Sequence, residues 1–327
     1  MPEPDLLLQV CPNDNPPFAG ICRYYEAAAA MLGWQALTVM LEPRAPAPDP
    51  EFRYLGRELS RQLGDCLQGR RPRLTLCHRY RAYRAVTTSG LATPPLVVVA
   101  HEYGLLTPAR RRVRLRADAL LGRPRPRFAG VSEAVATELA HWCGQAEILP
   151  NGIDLARCDA GLLSPAAARD ALGLTADEFN IGVVGRLHPK KDPLLAVAGF
   201  RAAVGGWRAG AGERDVGVRL TLLGDGPLRS QVESAAAGLP VTVKGFVAEA
   251  GRCMRAFDLL LLPSGDREAF GMVALEAMAA GVPVLCGPAP GPRFVLGDTG
   301  LHFDPHTPQA LADALVDARV AAGGGTL

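Results

Sequence analysis

The chain has 327 residues, of which 48% are hydrophobic and 21% charged, with a formal net charge of +2 at neutral pH. That length suits two domains of ordinary size, and so small a net charge argues against a dedicated nucleic-acid binder. Met1-Pro2-Glu3-Pro4-Asp5 lacks the basic start of a signal peptide, and no apolar run approaches the ~20 residues that span a bilayer, so the expected location is cytoplasmic, with any membrane contact peripheral at the inner face.

In chain order, the first half offers strands at Leu6–Val10, Ala36–Leu41, Leu74–Cys77, Leu96–Ala100, Arg127–Gly130 and Ala146–Leu149. Helices are expected at Ile21–Gly33, Arg53–Cys66 and Glu133–Trp142. A turn-rich break at Asn151-Gly152-Ile153-Asp154 opens a hinge expected over Ile153–Pro165. The second half alternates strictly: strands at Phe179–Val184, Val218–Leu223, Val241–Val243, Asp258–Leu262 and Pro283–Leu285, with helices at Pro193–Val204, Pro227–Ala237, Ala248–Phe257 and Gly271–Ala280. Continuous apolar strands alternating with helices imply a parallel sheet covered on both faces. The reading is α/β: two Rossmann-like doubly wound domains facing across a cleft, 1–155 and 156–310, followed by a short tail, 311–327. Ligands in such sheets bind beyond the carboxyl ends of the strands.

Several side chains are expected at those ends. Glu268 and Glu276 stand eight positions apart around a Phe270-Gly271 step. The apolar run after it reads as a buried helix, stopped by Gly281 and Pro283. Glu268 then lies in a loop and Glu276 more than one turn inside the helix. The backbone N–H groups near Phe270, Gly271 and Met272 face an anion. A ligand with phosphate in its middle and hydroxyls at both ends, such as a sugar nucleotide, suits that layout. Upstream, Gly185-Arg186-Leu187-His188-Pro189-Lys190-Lys191 puts Arg186 and Lys191 at a strand end. With three lysines against 32 arginines, Lys191 stands out as a compact point charge for phosphate. Gly224-Asp225-Gly226-Pro227 is a structural strand-to-helix turn. His101 and, second to it, His78 end strands of the first half. Ser132 reads as a helix cap, and Asn151 and Asp154 as hinge geometry. The eight cysteines form no Cys-x-x-Cys pair and fit buried, reduced thiols better than a zinc site. Residues 104–128 hold eight arginines against the single acid Asp118.

Glu268 to Glu276, continued by Ala277-Met278-Ala279-Ala280-Gly281-Val282-Pro283-Val284, resembles the Glu-x7-Glu motif of bacterial retaining glycosyltransferases with GT-B architecture, family 4. The Gly185–Lys191 run resembles that family's Gly-Arg-Leu-x-x-x-Lys segment. The resemblance implies that Glu276 holds the ribose hydroxyls and that Glu268 contacts donor-sugar hydroxyls without acting as a covalent nucleophile. Arg186 and Lys191 neutralise the leaving diphosphate, and His101 reaches the donor sugar. Gly245 and Phe246 hold the nucleobase through backbone groups. Gly20 remains of a glycine pair whose first position is Ala19. Two departures stand out. Phe294 replaces the acid of the usual Gly-Gly-x-x-Glu, and Gln309–Ala321 is all that remains for the helix that in relatives crosses back to the first domain.

The implied reaction moves a hexose-type sugar from a nucleotide diphosphate sugar, UDP by family habit, to a saccharide or glycolipid acceptor, as in surface polysaccharide or lipopolysaccharide synthesis. No Asp-x-Asp metal clamp occurs, so no metal and no cofactor is expected, charge being supplied by Arg186, Lys191 and a helix N-terminus. The Arg110–Arg127 cluster suggests an anionic membrane surface as partner, against the reading of a solvated helix and loop. The rival functions are a GT-B sugar-nucleotide epimerase, which needs no acceptor; a phosphorylase, which needs a cofactor lysine; and a non-catalytic GT-B binding partner, which never turns over.

Overall fold

Leu6-Leu7-Leu8-Gln9-Val10-Cys11 is buried at every position, as a strand must be when helices cover both faces of its sheet. The computed structural model describes residues 3–14, 16–43, 52–55, 59–89, 95–123, 125–209 and 217–323. The chain divides into two units, Met1–Asp154 and Leu155–Leu327.

In the first unit the elements run β1 (Leu6–Cys11), α1 (Pro16–Met31), β2 (Gln35–Met40), β3 (Arg53–Tyr54), α2 (Leu59–Leu67), β4 (Leu74–His78), α3 (Arg79–Thr88), β5 (Leu96–Ala100), α4 (Ala109–Leu120), β6 (Arg127–Gly130), α5 (Glu133–Cys143) and β7 (Glu147–Ile148). The sheet order is β3-β2-β1-β4-β5-β6-β7, and its strand pairs are parallel. The order reverses between β1 and β4, so the segments that follow those two strands flank the unit's switch point.

The second unit holds α6 (Leu155–Gly161), α7 (Pro165–Leu172), β8 (Glu178–Val184), a 3-10 turn at Pro189–Lys191, α8 (Pro193–Ala209), β9 (Gly217–Leu223), α9 (Arg229–Ala236), β10 (Val241–Gly245), a 3-10 segment at Ala250–Ala256, β11 (Leu259–Leu262), α10 (Met272–Ala280), β12 (Val284–Cys286), α11 (Pro290–Leu296), a 3-10 turn at Gly297–Thr299, β13 (Leu301–His302) and α12 (Pro308–Gly323). Its order is β10-β9-β8-β11-β12-β13, again parallel. Alternate strand residues serve opposite cores. Ile181, Val183, Leu220, Leu222, Leu259 and Leu261 meet Phe200, Val232, Leu311 and Leu315 on one face. Val184, Leu223, Leu260 and Leu262 meet Met254, Ala274 and Ala277 on the other. This period of two explains why the strands read as unbroken apolar runs.

Four expectations are corrected. Arg53–Cys66 is not one helix: Arg53 and Tyr54 pair with Val39 and Met40 as an edge strand, held by buried Phe52 and Leu55, and the helix begins at Leu59. The first helix starts at Pro16 rather than Ile21, since Pro is well placed in a first turn, where no N–H is missed. Ala248–Phe257 is not an α-helix: it holds a 3-10 segment, Ala250–Ala256, opened by Glu249 in a left-handed conformation. Residues 324–327 of the expected tail lie outside the described residues, and the stretch 311–323 is helical. It belongs to α12, whose Leu311, Ala312, Leu315 and Ala318 enter the core beside α8. A side chain on Gly199 of α8 would strike Leu311 at 2.5 Å.

Candidate functional site

The order of the second sheet reverses between β8 and β11; Arg186, Lys191 and Glu268 sit on the two loops that leave those strands, and Glu276 on the helix that follows the second loop. The β8 loop is held tightly. The Gly185 N–H donates to Leu223 O at 2.9 Å. Gly224 lies so close that a Cβ there would be 1.9 Å from Gly185 O, which is the reason for glycine in the Gly224–Pro227 turn. His188 then caps the 3-10 turn, its Nδ1 accepting the Lys190 N–H at 3.2 Å. The turn carries Lys191 to Glu268 of the β11 loop, with Nζ to Oε2 at 2.7 Å. Ser264 Oγ donates to the same oxygen at 3.3 Å. Glu268 is 8% exposed, so this ion pair is shielded from the screening that weakens surface pairs.

Glu276 lies in the second turn of α10. Burial pushes its carboxyl up to about 7, and the neighbouring Lys191 ammonium opposes the rise. Lys191 therefore acts on both carboxylates of the motif. Gly271 is the α10 N-cap, in a left-handed conformation with no side-chain cap, so the first-turn N–H groups, starting with Met272, have no side chain from the cap residue to receive them. Phe270 is buried and faces Phe294 with ring centroids 6.4 Å apart. The α11 N-terminus braces the Glu268 loop: the Gly291 N–H donates to Glu268 O at 3.2 Å, and a Cβ on Gly291 would lie 2.3 Å from Phe270 N. Arg186 is exposed and pairs with no carboxylate among the described residues. Gly245 ends β10, packed on the Arg229 guanidinium, and the Phe246 ring is 80% exposed. Beside the Lys191 turn, a cavity of about 620 Å³ is lined by His188, Lys190, Asp192, Asp266, Arg267 and His306. Sequence reasoning missed Ser264, His188 and Gly291. Their signal was adjacency to Glu268 and Lys191, and for Gly291 a Gly-Pro step read for its missing acid rather than for close packing.

In the first unit, Gly20 does not lie in a loop. It sits inside α1, exposed, with open space where a Cβ would stand, so nothing local requires glycine there. His101 and His78 come together. His78 Nδ1 lies 2.9 Å from His101 Nε2, and the rings stack at 5.1 Å. Burial pulls His78 down to about 3. Burial first, then His78 and Arg79, hold His101 well below its ordinary value. Cys11, Cys22 and His78 place three soft ligand atoms within 4.8 Å of one another. Both His78 nitrogens already have partners, however, and the two thiols contact each other.

The arginine cluster is only partly solvated. Arg84, Arg114 and Arg123 surround the buried Asp118 carboxylate. Arg112 lies 4.0 Å over the Trp142 ring, and Arg111 lies over Tyr80. Arg110, Arg116 and Arg125 make no ion pair among the described residues, and Val113, Leu120 and Leu121 of the same helix region are exposed.

Residues 178–318 match the family model "Glycosyl transferases group 1". A D-inositol 3-phosphate glycosyltransferase of Saccharomonospora viridis is 34% identical over 187 residues, 52% of this chain and 40% of that protein. The chain thus spans about two fifths of the length of that curated relative. Among solved structures, a glycosyltransferase from Rickettsia africae superposes with a TM-score of 0.74 at 14% identity, covering 99% of this chain and 90% of that one. Anabaena Alr3699/HepE in complex with UDP gives 0.69 at 21% identity, covering 98% and 90%. Two parallel-sheet α/β units with these neighbours define a GT-B fold. No helix among the described residues is long and apolar enough to cross a membrane.

Proposed function

We propose that the chain is a retaining glycosyltransferase that moves a hexose-type sugar from a nucleotide diphosphate sugar, UDP favoured, to a hydroxyl of a saccharide or glycolipid. The observation that carries this reading is the 2.7 Å pair between Lys191 and Glu268, formed by two loops at the switch point, with Glu276 close enough to feel the same ammonium. The group 1 match over residues 178–318 supports it, as does the UDP held by the HepE neighbour.

In this reading Lys191 and Arg186 neutralise the departing diphosphate, together with the uncapped N-terminus of α10. Gly185, Phe270, Gly271 and Met272 bring backbone to the phosphates, and Gly245 and Phe246 to the base. Glu268, already fixed by Lys191 and Ser264, orients donor-sugar hydroxyls. Glu276 takes the ribose hydroxyls, which favours its ionised form and draws its raised pKa downward on binding. His101 meets a substrate hydroxyl. Protein cations do the work of a metal, so the reaction is metal-independent. The acceptor belongs to surface polysaccharide or lipopolysaccharide synthesis, and the exposed arginines of α4 bring the protein to an anionic membrane surface.

The test is donor turnover after exhaustive chelation, with candidate saccharide and glycolipid acceptors. Sustained turnover with the anomeric configuration retained is expected. Activity that stops and returns with manganese overturns the metal-free mechanism, and donor consumption without acceptor favours an epimerase.

A further inference from the structure

We infer that Gln9 and His78 are positioning residues that hold His101 with its proton on Nε2 and its lone pair on Nδ1, so that His101 meets a substrate hydroxyl as hydrogen-bond acceptor. The inference rests on the role proposed for His101 and deepens it. It follows from proton bookkeeping along one buried chain of groups. Gln9 Nε2 lies 3.0 Å from Cys22 O and 3.0 Å from Thr38 Oγ1. A carbonyl oxygen only accepts, so the nitrogen end of the amide must face Cys22. Thr38 Oγ1 gives its own proton to the Glu26 carboxylate and therefore receives the second Gln9 N–H.

Both amide protons are then used, and Gln9 Oε1 is the atom 3.3 Å from His78 Nε2. An amide oxygen only accepts, so His78 carries its proton on Nε2. Burial keeps His78 neutral at pH 7, which leaves Nδ1 as a lone pair. His101 Nε2, 2.9 Å away, must then donate. His101 is itself buried and neutral, so its Nδ1 is a lone pair as well. That atom is buried with the Asn151 side chain beside it; Asn151 Oδ1 cannot donate to a lone pair, whereas the amide turned end for end presents Nδ2–H to it. The Nδ1 lone pair therefore takes a donor, from Asn151 or from a ligand group that replaces it, as a sugar hydroxyl can and a carbonyl cannot. Every proton in the chain points from His101 toward Glu26, and no link in it uses a residue outside the first unit.

The wild-type full chain labelled with 15N at histidine and glutamine tests this directly by NMR. A through-hydrogen-bond coupling between His101 Nε2 and His78 Nδ1 is expected, with the proton bound to His101; His101→Gln assigns the signals. The proton on His78 Nδ1 instead, or no coupling, overturns the inference. A second arm separates positioning from packing. His78→Asn keeps an acceptor near Nδ1, whereas His78→Phe fills the space and offers none. The expected kcat/KM falls about tenfold in His78→Phe, the worth of one hydrogen bond, and stays within about twofold in His78→Asn. The reverse order, or equal loss in both, contradicts the positioning role. If the wild type consumes no nucleotide sugar, the functional reading fails, while the coupling still decides the network.

Discussion

Glu276 is the residue whose surroundings sit least easily with its charge. Its carboxyl stands at about 7 against an ordinary 4.5, so between those values the folded chain binds more protons than the unfolded one. Its stabilising share is therefore complete below about 4.5 and is lost as the pH rises through 7. Glu276→Gln removes that slope. Urea unfolding at pH 5 and pH 8 is expected to show a pH difference smaller in the variant by about 1–3 kcal/mol; parallel wild-type and variant profiles would contradict the burial argument. At this scale the motif was readable because Glu268, Gly271 and Glu276 are close in sequence. Their tie to Lys191 was not. It depends on two loops meeting where the strand order reverses, which no local spacing records. The His78–His101 pair, 23 positions apart, arises the same way, from adjacent parallel strands that end together.

The N-terminus of α11 shows how one element disciplines another. Gly291 has no room for a side chain: a Cβ would stand 2.3 Å from Phe270 N and 2.5 Å from Glu268 O. These are backbone atoms, so Gly291→Ala must push the Glu268 loop and α11 apart. The expected cost is about 1–3 kcal/mol in chemical denaturation, with weaker nucleotide binding. Unchanged stability and binding would show that α11 does not brace the loop. Ala248–Phe257 misled as a helix, and α11 and β13 went unseen, but the central strands of the second unit were recoverable because both sheet faces are covered, which leaves unbroken apolar runs. The edge of the first sheet was not. Arg53-Tyr54 is too short to declare itself, and it becomes a strand only by pairing with β2. The start of α1 was missed because a Pro-Pro pair reads as a break, although at a first turn it is permitted.

Across the whole molecule, the nearly balanced net charge hides an uneven surface. Arg110, Arg116 and Arg125 remain outward while their neighbours hold Asp118, Trp142 and Tyr80 in place, and exposed Val113, Leu120 and Leu121 lie among them. Vesicles with anionic lipid should float the protein and neutral vesicles should not. Arg110→Glu with Arg116→Glu should abolish flotation, since each surface cation contributes about 1 kcal/mol at such a membrane. Equal flotation on both vesicles would exclude an electrostatic contact.

The central claim is a nucleotide-sugar site built on Lys191, Glu268 and Glu276, and calorimetric titration of UDP, GDP, ADP and TDP in the presence of EDTA tests it most directly. One nucleotide, UDP by preference, is expected to bind the wild-type chain without metal. Lys191→Ala should weaken it at least about tenfold, as loss of a charge-assisted phosphate contact implies. Binding that ignores Lys191→Ala, or no binding by any of the four, would contradict the account.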